Sequence, residues 1–368
     1  MPMTRWLGRA TLALAATSSL AGCEFAGPQS TLDPAGPVAQ AQLELLAWSY
    51  WLSWLVMIAV FGVLAYVLVR FRRRRSDPDA VPQQFHGSVP LEIGLTIVPV
   101  LIVIAVAVPT VRTIFATETR VTPGPDDVVV DVTGYQWWWR FEYPELGIVT
   151  ANELHVPAGT RVILNLDSAD VLHAFWVPRI AGKRDLIPNQ NNQLWFEVSE
   201  PGNYSGQCAE LCLGAHAYMR LRLIAEPQAE FDAWVDRFTS AADRPVQTDP
   251  QVQRGHQLFA TKGCTNCHTI DGYRAGTPVG TPDFPNLTNF GLRTTLAAGN
   301  LDNTRENLAA WLRDSQAIKP GNYMPQLWSE ADPNADDEIA AIAAYLLSLG
   351  SDDSTLTQAT LGGSDGDR

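Results

Sequence analysis

Between Gln207 and Met219 the chain reads Q-C-A-E-L-C-L-G-A-H-A-Y-M. Cys208 and Cys212 stand four apart, His216 follows four residues later, and Met219 lies three beyond that. Two thiolates, an imidazole and a thioether in one short loop form a soft donor set, and thioether ligation is a habit of copper rather than of zinc or calcium. A second imidazole lies upstream, in Asp170-Val-Leu-His173. Two thiolates and two imidazoles are the set needed to bridge a pair of copper ions. A Cys2His2 zinc site and a disulfide are the alternatives. Zinc turns are usually spaced more tightly and would leave Met219 without a role. A disulfide would orphan both histidines.

A second constellation begins fifty residues on. Cys264-Thr-Asn-Cys267-His268 has the spacing of covalent haem attachment, in which two thiols add to the haem vinyl groups and the histidine supplies the proximal nitrogen. A thioredoxin-like redox pair needs no histidine and sits in a βαβ context that this sequence lacks. Met324, in Gly321-Asn-Tyr-Met324-Pro-Gln, is the candidate sixth ligand. Methionine is used sparingly. Beyond Met57 only Met219 and Met324 remain, both where a metal ligand is wanted.

The first loop resembles the CuA loop of subunit II of haem-copper cytochrome c oxidases, whose pattern is Cys-x-Glu-x-Cys-x3-His-x2-Met. The stretch D-V-L-H-A-F-W-V-P is similar to that family's strand carrying the other histidine. The resemblance spans about residues 40 to 225, and the later segment is similar to class I cytochromes c. It implies a copper site of His173, Cys208, Cys212, His216, Met219 and the carbonyl oxygen of Glu210, whose side chain would help bind magnesium at the subunit I interface. It also makes Trp137 the point where electrons reach copper. Glu92, seven residues before Pro99, would line the mouth of a proton channel.

These residues need elements to position them. Residues 1–22 read as a secretory signal, with Arg5 and Arg9 before an Ala/Leu run. Leu20-Ala-Gly-Cys23 resembles a lipoprotein processing site, so Cys23 is a candidate for lipidation. Residues 23–44 read as linker. Two apolar runs, Trp48 to Val69 and Ile93 to Val111, predict a transmembrane hairpin within 45–120, the first spanning ~33 Å as a helix. Arg70 and Arg72 to Arg75 close the first run and place the turn in the cytoplasm by the positive-inside rule. The later domains then lie on the outer, periplasmic face of a bacterial plasma membrane.

Residues 121–225 alternate apolar and polar side chains, as in Val128, Val130 and Val132 or Val162, Leu164 and Leu166, and predict an all-β cupredoxin-like sandwich. Within Tyr135-Gln-Trp-Trp-Trp-Arg the three tryptophans cannot all share a face, because strand side chains alternate. Trp137 is expected on an exposed surface above copper. Residues 226–250 read as a short amphipathic helix, Phe231 to Phe238, and a flexible tether, Ser240 to Pro250, on which the next domain could swing. Residues 251–350 predict an all-α cytochrome c domain, with helices over Val252–Ala260, Arg305–Asp314 and Asp336–Leu349. Residues 351–368 read as a disordered tail. His86 and His256 read as ordinary polar residues, and His155 as a strand-end one.

Net charge is −13 and the lysines number three, Lys183, Lys262 and Lys319. That excludes a basic nucleic-acid surface. It also leaves no lysine ring of the kind soluble cytochromes c use to dock; a tethered domain can dispense with one. The combination reads as subunit II of a caa3-type oxidase, passing electrons from covalent haem c to CuA and on to subunit I, where dioxygen is reduced. Subunit III, membrane lipid, and a cytochrome c or cytochrome bc donor are the further expected partners. The CuA-bearing small subunit of a nitric oxide reductase is the main alternative. A structural subunit of a quinol oxidase, which loses the copper ligands, and a free-standing membrane carrier fit less well.

Overall fold

The computed structural model describes residues 27–72, 87–241, 247–271, 283–329 and 331–350. The signal, Cys23, Arg73 to Arg75, His86, residues 242–246 of the tether and the tail from 351 lie outside the described residues. The chain divides into a unit of residues 40–120 and a unit that holds the rest.

The first unit contains most of α1 (Pro37–Arg70) and all of α2 (Val89–Glu118). Both are long and apolar enough to cross a membrane. Their side chains are apolar on every face and largely exposed, as expected of helices whose solvent is lipid. Within the hairpin, Trp48 Nε1 donates to the Ala105 carbonyl at 3.0 Å. Glu92 sits in the first turn of α2, and Pro99 and Pro109 lie inside that helix. The first helix begins earlier than its apolar run, within the segment read as linker. The reason is local: Ala35 N–H donates to the Arg179 carbonyl and Ala39 N–H to the Ile180 carbonyl, while Val38 is buried in the sandwich core. Packing orders a stretch that composition alone makes a spacer.

In the second unit, two five-stranded sheets form the sandwich. Their strands are β1 (Val128–Tyr135), β2 (Trp138–Tyr143), β3 (Ile148–Ala151), β4 (Glu153–Pro157), β5 (Arg161–Ser168), β6 (His173–Trp176), β7 (Arg184–Leu186), β8 (Asn192–Glu197), β9 (Gly202–Cys208) and β10 (Arg220–Glu226). One sheet runs β3-β2-β1-β5-β8 and the other β4-β10-β9-β6-β7. Val130, Val132, Val162, Leu164 and Leu166 point into the core between them, following the two-residue period.

Helix α3 (Gln228–Ala241) covers the edge of the sandwich near β3, β4 and β10. It buries Phe231, Trp234 and Phe238, a spacing that places all three on one helical face. Trp234 lies flat on the His155 ring, with centroids 4.4 Å apart. His155 is therefore a buried core residue, hydrogen-bonded through Nδ1 to Glu226 at 3.1 Å, and not the ordinary strand-end residue that the sequence suggests.

The haem-motif domain has α4 (Pro250–Thr261), α5 (Arg305–Arg313), the one-turn α6 (Ser315–Ile318), α7 (Ala335–Ser348) and a two-residue ribbon of β11 (Thr295–Leu296) and β12 (Leu301–Asp302). Asp249 caps α4 by accepting from the Gln251 and Val252 N–H groups, and Pro250 occupies the first helical position, where no donor is missed. Helices α4 and α7 cross at Gly255, where a methyl group would lie 2.0 Å from the Ala341 carbonyl oxygen.

Trp234 joins α3 to the sandwich by packing on His155 and Tyr143, flanked on its own helix by Phe231 and Phe238. Trp234→Ala should lower the sandwich's stability by about 3–5 kcal/mol, read as a fall in the denaturant midpoint.

Candidate metal centres

The β-topology assembles the first site. β6 opens with His173 and runs antiparallel to β9, which ends at Cys208, so residues 35 apart in sequence become neighbours. The loop from Cys208 back to β10 is closed by the Cys208 N–H donating to the Met219 carbonyl at 2.9 Å. The donor atoms converge. Cys208 Sγ lies 3.9 Å from Cys212 Sγ and 3.9 Å from His173 Nδ1. Cys212 Sγ lies 3.4 Å from His216 Nδ1 and 3.9 Å from Met219 Sδ. The Glu210 carbonyl oxygen is 3.2 Å from Cys208 Sγ. Donors thus lie around a sulfur pair: one imidazole on each sulfur, the thioether near one and the carbonyl near the other. His173, Cys208, Cys212 and Met219 are buried, and His216 is half-buried.

Two thiols this close in a dry pocket cannot both ionise alone. The Cys212 thiol and then the His173 imidazole favour the thiolate of Cys208, and that thiolate in turn holds the proton on Cys212. A cation between them removes the conflict by taking both as thiolates. The donor set fits a copper pair: soft sulfur, neutral imidazole and weak axial donors from opposite sides.

The histidines are oriented from behind. His173 Nε2 bonds Asp170 Oδ1 at 2.8 Å, which turns Nδ1 toward the sulfurs. Asp170 also accepts from the Gln136 and Val171 N–H groups. It had no role in the sequence reading, although its position three residues before a ligand was the available signal. The Cys212 carbonyl accepts from Trp137 Nε1 at 3.1 Å and from Gln136 Nε2 at 2.8 Å. Gly214 lies against the same indole, where a methyl group would fall 2.1 Å from Trp137 Cζ2.

The second site is a cavity in the haem-motif domain, lined by Cys264, Cys267, His268 and Met324. His268 Nδ1 donates to the Pro285 carbonyl at 2.9 Å, which leaves Nε2 as the lone-pair nitrogen. Burial holds the His268 ring below its usual range, hence neutral, and pushes the Cys264 thiol up to about 11. Met324 is fixed by its N–H to Asn322 and its carbonyl to Ser315. Arg293 also lines the cavity, and its buried Nε has no partner among the described residues. The guanidinium also donates to the Asn286 carbonyl, and an apolar cavity with two thiols, a free imidazole nitrogen, a thioether and a buried cation with one unpaired N–H fits a haem and its carboxylates.

The sandwich side of this cavity is formed by Gln136, Trp137, Trp138, Ala151 and Asn152. All three tryptophans are buried. Alternation holds, with Trp137 and Trp139 in the sandwich core, but the outward Trp138 stacks on Tyr135 at 4.7 Å and donates to the Asp283 carbonyl at 3.2 Å. The expectation of an exposed Trp137 is corrected: it is 6% exposed, because Tyr323 covers it at 4.7 Å. The haem-motif domain packs against the sandwich here. Lys319 Nζ, pushed down to about 7 by burial, donates to the Trp137 carbonyl at 2.6 Å. Asn300 donates to the Tyr218 carbonyl at 2.7 Å, and a methyl on Gly321 would come 3.3 Å from the Gly214 carbonyl carbon.

Comparison with known proteins gives three adjoining matches. Residues 29–113 match the cytochrome c oxidase subunit II transmembrane domain, 148–225 its periplasmic domain, and 252–350 cytochrome c. Cytochrome c oxidase subunit 2 of Alkalihalophilus pseudofirmus is 39% identical over 338 residues, covering 90% of this chain and 94% of the relative. Quinol oxidase subunit 2 of Bacillus cereus is 33% identical over 241 residues, covering 65% and 82%. The crystal structure of the periplasmic domain of subunit II of cytochrome oxidase of Bradyrhizobium japonicum is 30% identical with a TM-score of 0.31, covering 33% of this chain and 98% of that one.

Gly214 permits the indole to lie flat on the ligand loop. Gly214→Ala should displace Trp137, cost at least about 2 kcal/mol, and weaken copper retention, measured by denaturant unfolding and by competition with a copper chelator.

Proposed function

Because the chain belongs to the cytochrome c oxidase subunit II family and carries a cytochrome c domain, we propose that it is the electron-accepting subunit of a caa3-type oxidase. His173, Cys208, Cys212, His216, Met219 and the Glu210 carbonyl would hold the copper pair. Cys264 and Cys267 would bind haem c, with His268 and Met324 on its iron. Bound there, the two groups would supply one-electron couples, and the chain would serve to pass electrons to a subunit I that reduces dioxygen to water with proton pumping.

The observation that carries this reading is the docking of the Met324 loop on the copper loop, with Tyr323 over Trp137 and Lys319 on its carbonyl. Trp137 touches both sites, lining the haem cavity and donating to the Cys212 carbonyl. Its indole is thus assigned the path between them. Asp170 keeps His173 aimed at the sulfurs, and the buried surround excludes water, so little rearranges when the charge of the site changes.

The remaining roles follow the family. The Glu210 side chain would bind magnesium at the subunit I interface, and Glu92 would stand at the mouth of a proton channel. Cys23 would carry lipid, and both redox domains would lie on the periplasmic face. Subunit III and a cytochrome c or cytochrome bc donor complete the assembly.

Cys208→Ser should abolish the near-infrared band and the seven-line resonance of a delocalised copper pair; an unchanged spectrum refutes the ligand assignment. Trp137→Phe keeps an aromatic packing group but loses the indole and its hydrogen bond. It should leave both metal spectra intact and slow haem-to-copper transfer more than tenfold after flash reduction of haem c.

A further inference from the structure

Glu153, the first residue of β4, is a carboxylate with 1% of its surface exposed, and no motif accounts for it. Burying an ionised carboxylate is costly unless its lone pairs are filled. Here they are filled from the other domain. Glu153 Oε1 accepts from the Thr294 N–H at 3.0 Å and its hydroxyl at 2.8 Å. The same oxygen accepts from the Thr295 N–H and the Thr295 hydroxyl, each at 2.6 Å. Oε2 lies 3.2 Å from the Thr294 nitrogen. On the sandwich side the nearest group is His155, whose Nε2 is 3.8 Å from Oε2, too long for a good hydrogen bond but close for a charge.

Thr294 and Thr295 follow Arg293 directly, and Arg293, Thr295 and Leu296 line the haem cavity. The carboxylate therefore grips the segment that forms one wall of that cavity. Lys319 and Tyr323 hold another part of the same domain on Trp137. Two separated anchors prevent rotation where one would allow it.

We propose that Glu153 is a positioning residue for transfer between haem c and the copper pair: it locks the cytochrome domain to the sandwich in one pose, so that transfer proceeds from a docked state rather than from a tethered swing. This rests on the relay proposed above. Charge-assisted bonds of this kind are the strong ones, and the cost of burying the carboxylate makes the anchor specific to the domain that supplies the four donors.

Titration bears on the same contact. Burial alone would raise the Glu153 carboxyl, but His155 and the two threonines outweigh it and hold the group below the usual carboxylate range. Its contribution is thus full above that range and lost as pH falls through the lowered value. Burial alone would lower His155, yet Glu153 and Glu226 raise it above 6.5. Its contribution is full below 6.5 and fades as pH rises through the raised value. Arg293 lies near enough for the Glu153 carboxylate to favour its charge, against the burial that pulls the guanidinium down to about 10.

The test uses the purified holo-complex with Glu153→Ala and Glu153→Gln. Haem-to-copper transfer is timed after flash photoreduction of haem c in buffers of rising viscosity, and amide hydrogen exchange is followed at Thr294 and Thr295. With both metal spectra unchanged, the alanine variant should slow transfer more than tenfold, make it viscosity-dependent, and raise exchange at both amides. The glutamine variant, which keeps an acceptor oxygen, should lie between it and the wild type. If the alanine variant does not assemble, Thr295→Val removes one hydroxyl donor from the opposite side and should slow transfer several-fold. Unaltered transfer in the alanine variant, whatever its exchange, overturns the positioning role. A wild-type complex that passes no electrons from haem c to copper overturns the relay and that role together, and slow exchange at Thr294 and Thr295 would then show that the anchor itself is real.

Discussion

Two sulfur atoms held 3.9 Å apart in a buried pocket set the terms for this molecule. They cannot both carry charge without a cation, and they cannot separate without breaking the loop. Everything near them works against movement. The loop closes on Met219 through a backbone bond, the Cys212 carbonyl takes two donors from the aromatic strand, and Asp170 fixes the His173 ring. A site so constrained holds its ligands in place as charge changes, which is what electron transfer demands of a metal centre.

The same constraint explains the crowding on Trp137. Its indole must lie flat on Gly214 to reach the Cys212 carbonyl, and this leaves its other side and its backbone carbonyl to be covered. Tyr323 and Lys319 of the cytochrome domain cover them. The aromatic strand is thus a wall shared by the two metal-binding pockets. The two domains are one compact unit for this reason, and the connection from α3 to α4 does not have to restrain them.

The scarcity of lysine takes on a different meaning in this light. Of the two lysines in the cytochrome domain, Lys319 is buried, and Lys262 pairs with Glu338 at 2.5 Å beneath Trp328. Neither offers a steering surface for a diffusing partner. Inside the chain, contact is made by directed hydrogen bonds from buried groups, which give a fixed pose where a lysine ring gives only a rate of encounter.

The sequence by itself determined the chemistry and the family. Soft donors at 4-4-3 spacing, the Cys-x2-Cys-His motif, two apolar runs and alternating strands are local patterns, and the helices α4, α5 and α7 begin and end within a few residues of the positions their periodicity and capping residues suggest. Local patterns could not report what lies across an interface. Trp137 looked exposed because alternation describes one strand, whereas Tyr323, from a domain more than a hundred residues away, covers it. His155 read as an ordinary strand-end residue and Glu153 drew no notice, because their partners, Thr294, Thr295, Glu226 and Trp234, come from distant segments. Pairing between remote residues leaves no spacing signal in the chain, and burial turns the same carboxylate from a solvated side chain into an anchor. Only the tertiary structure decided those roles.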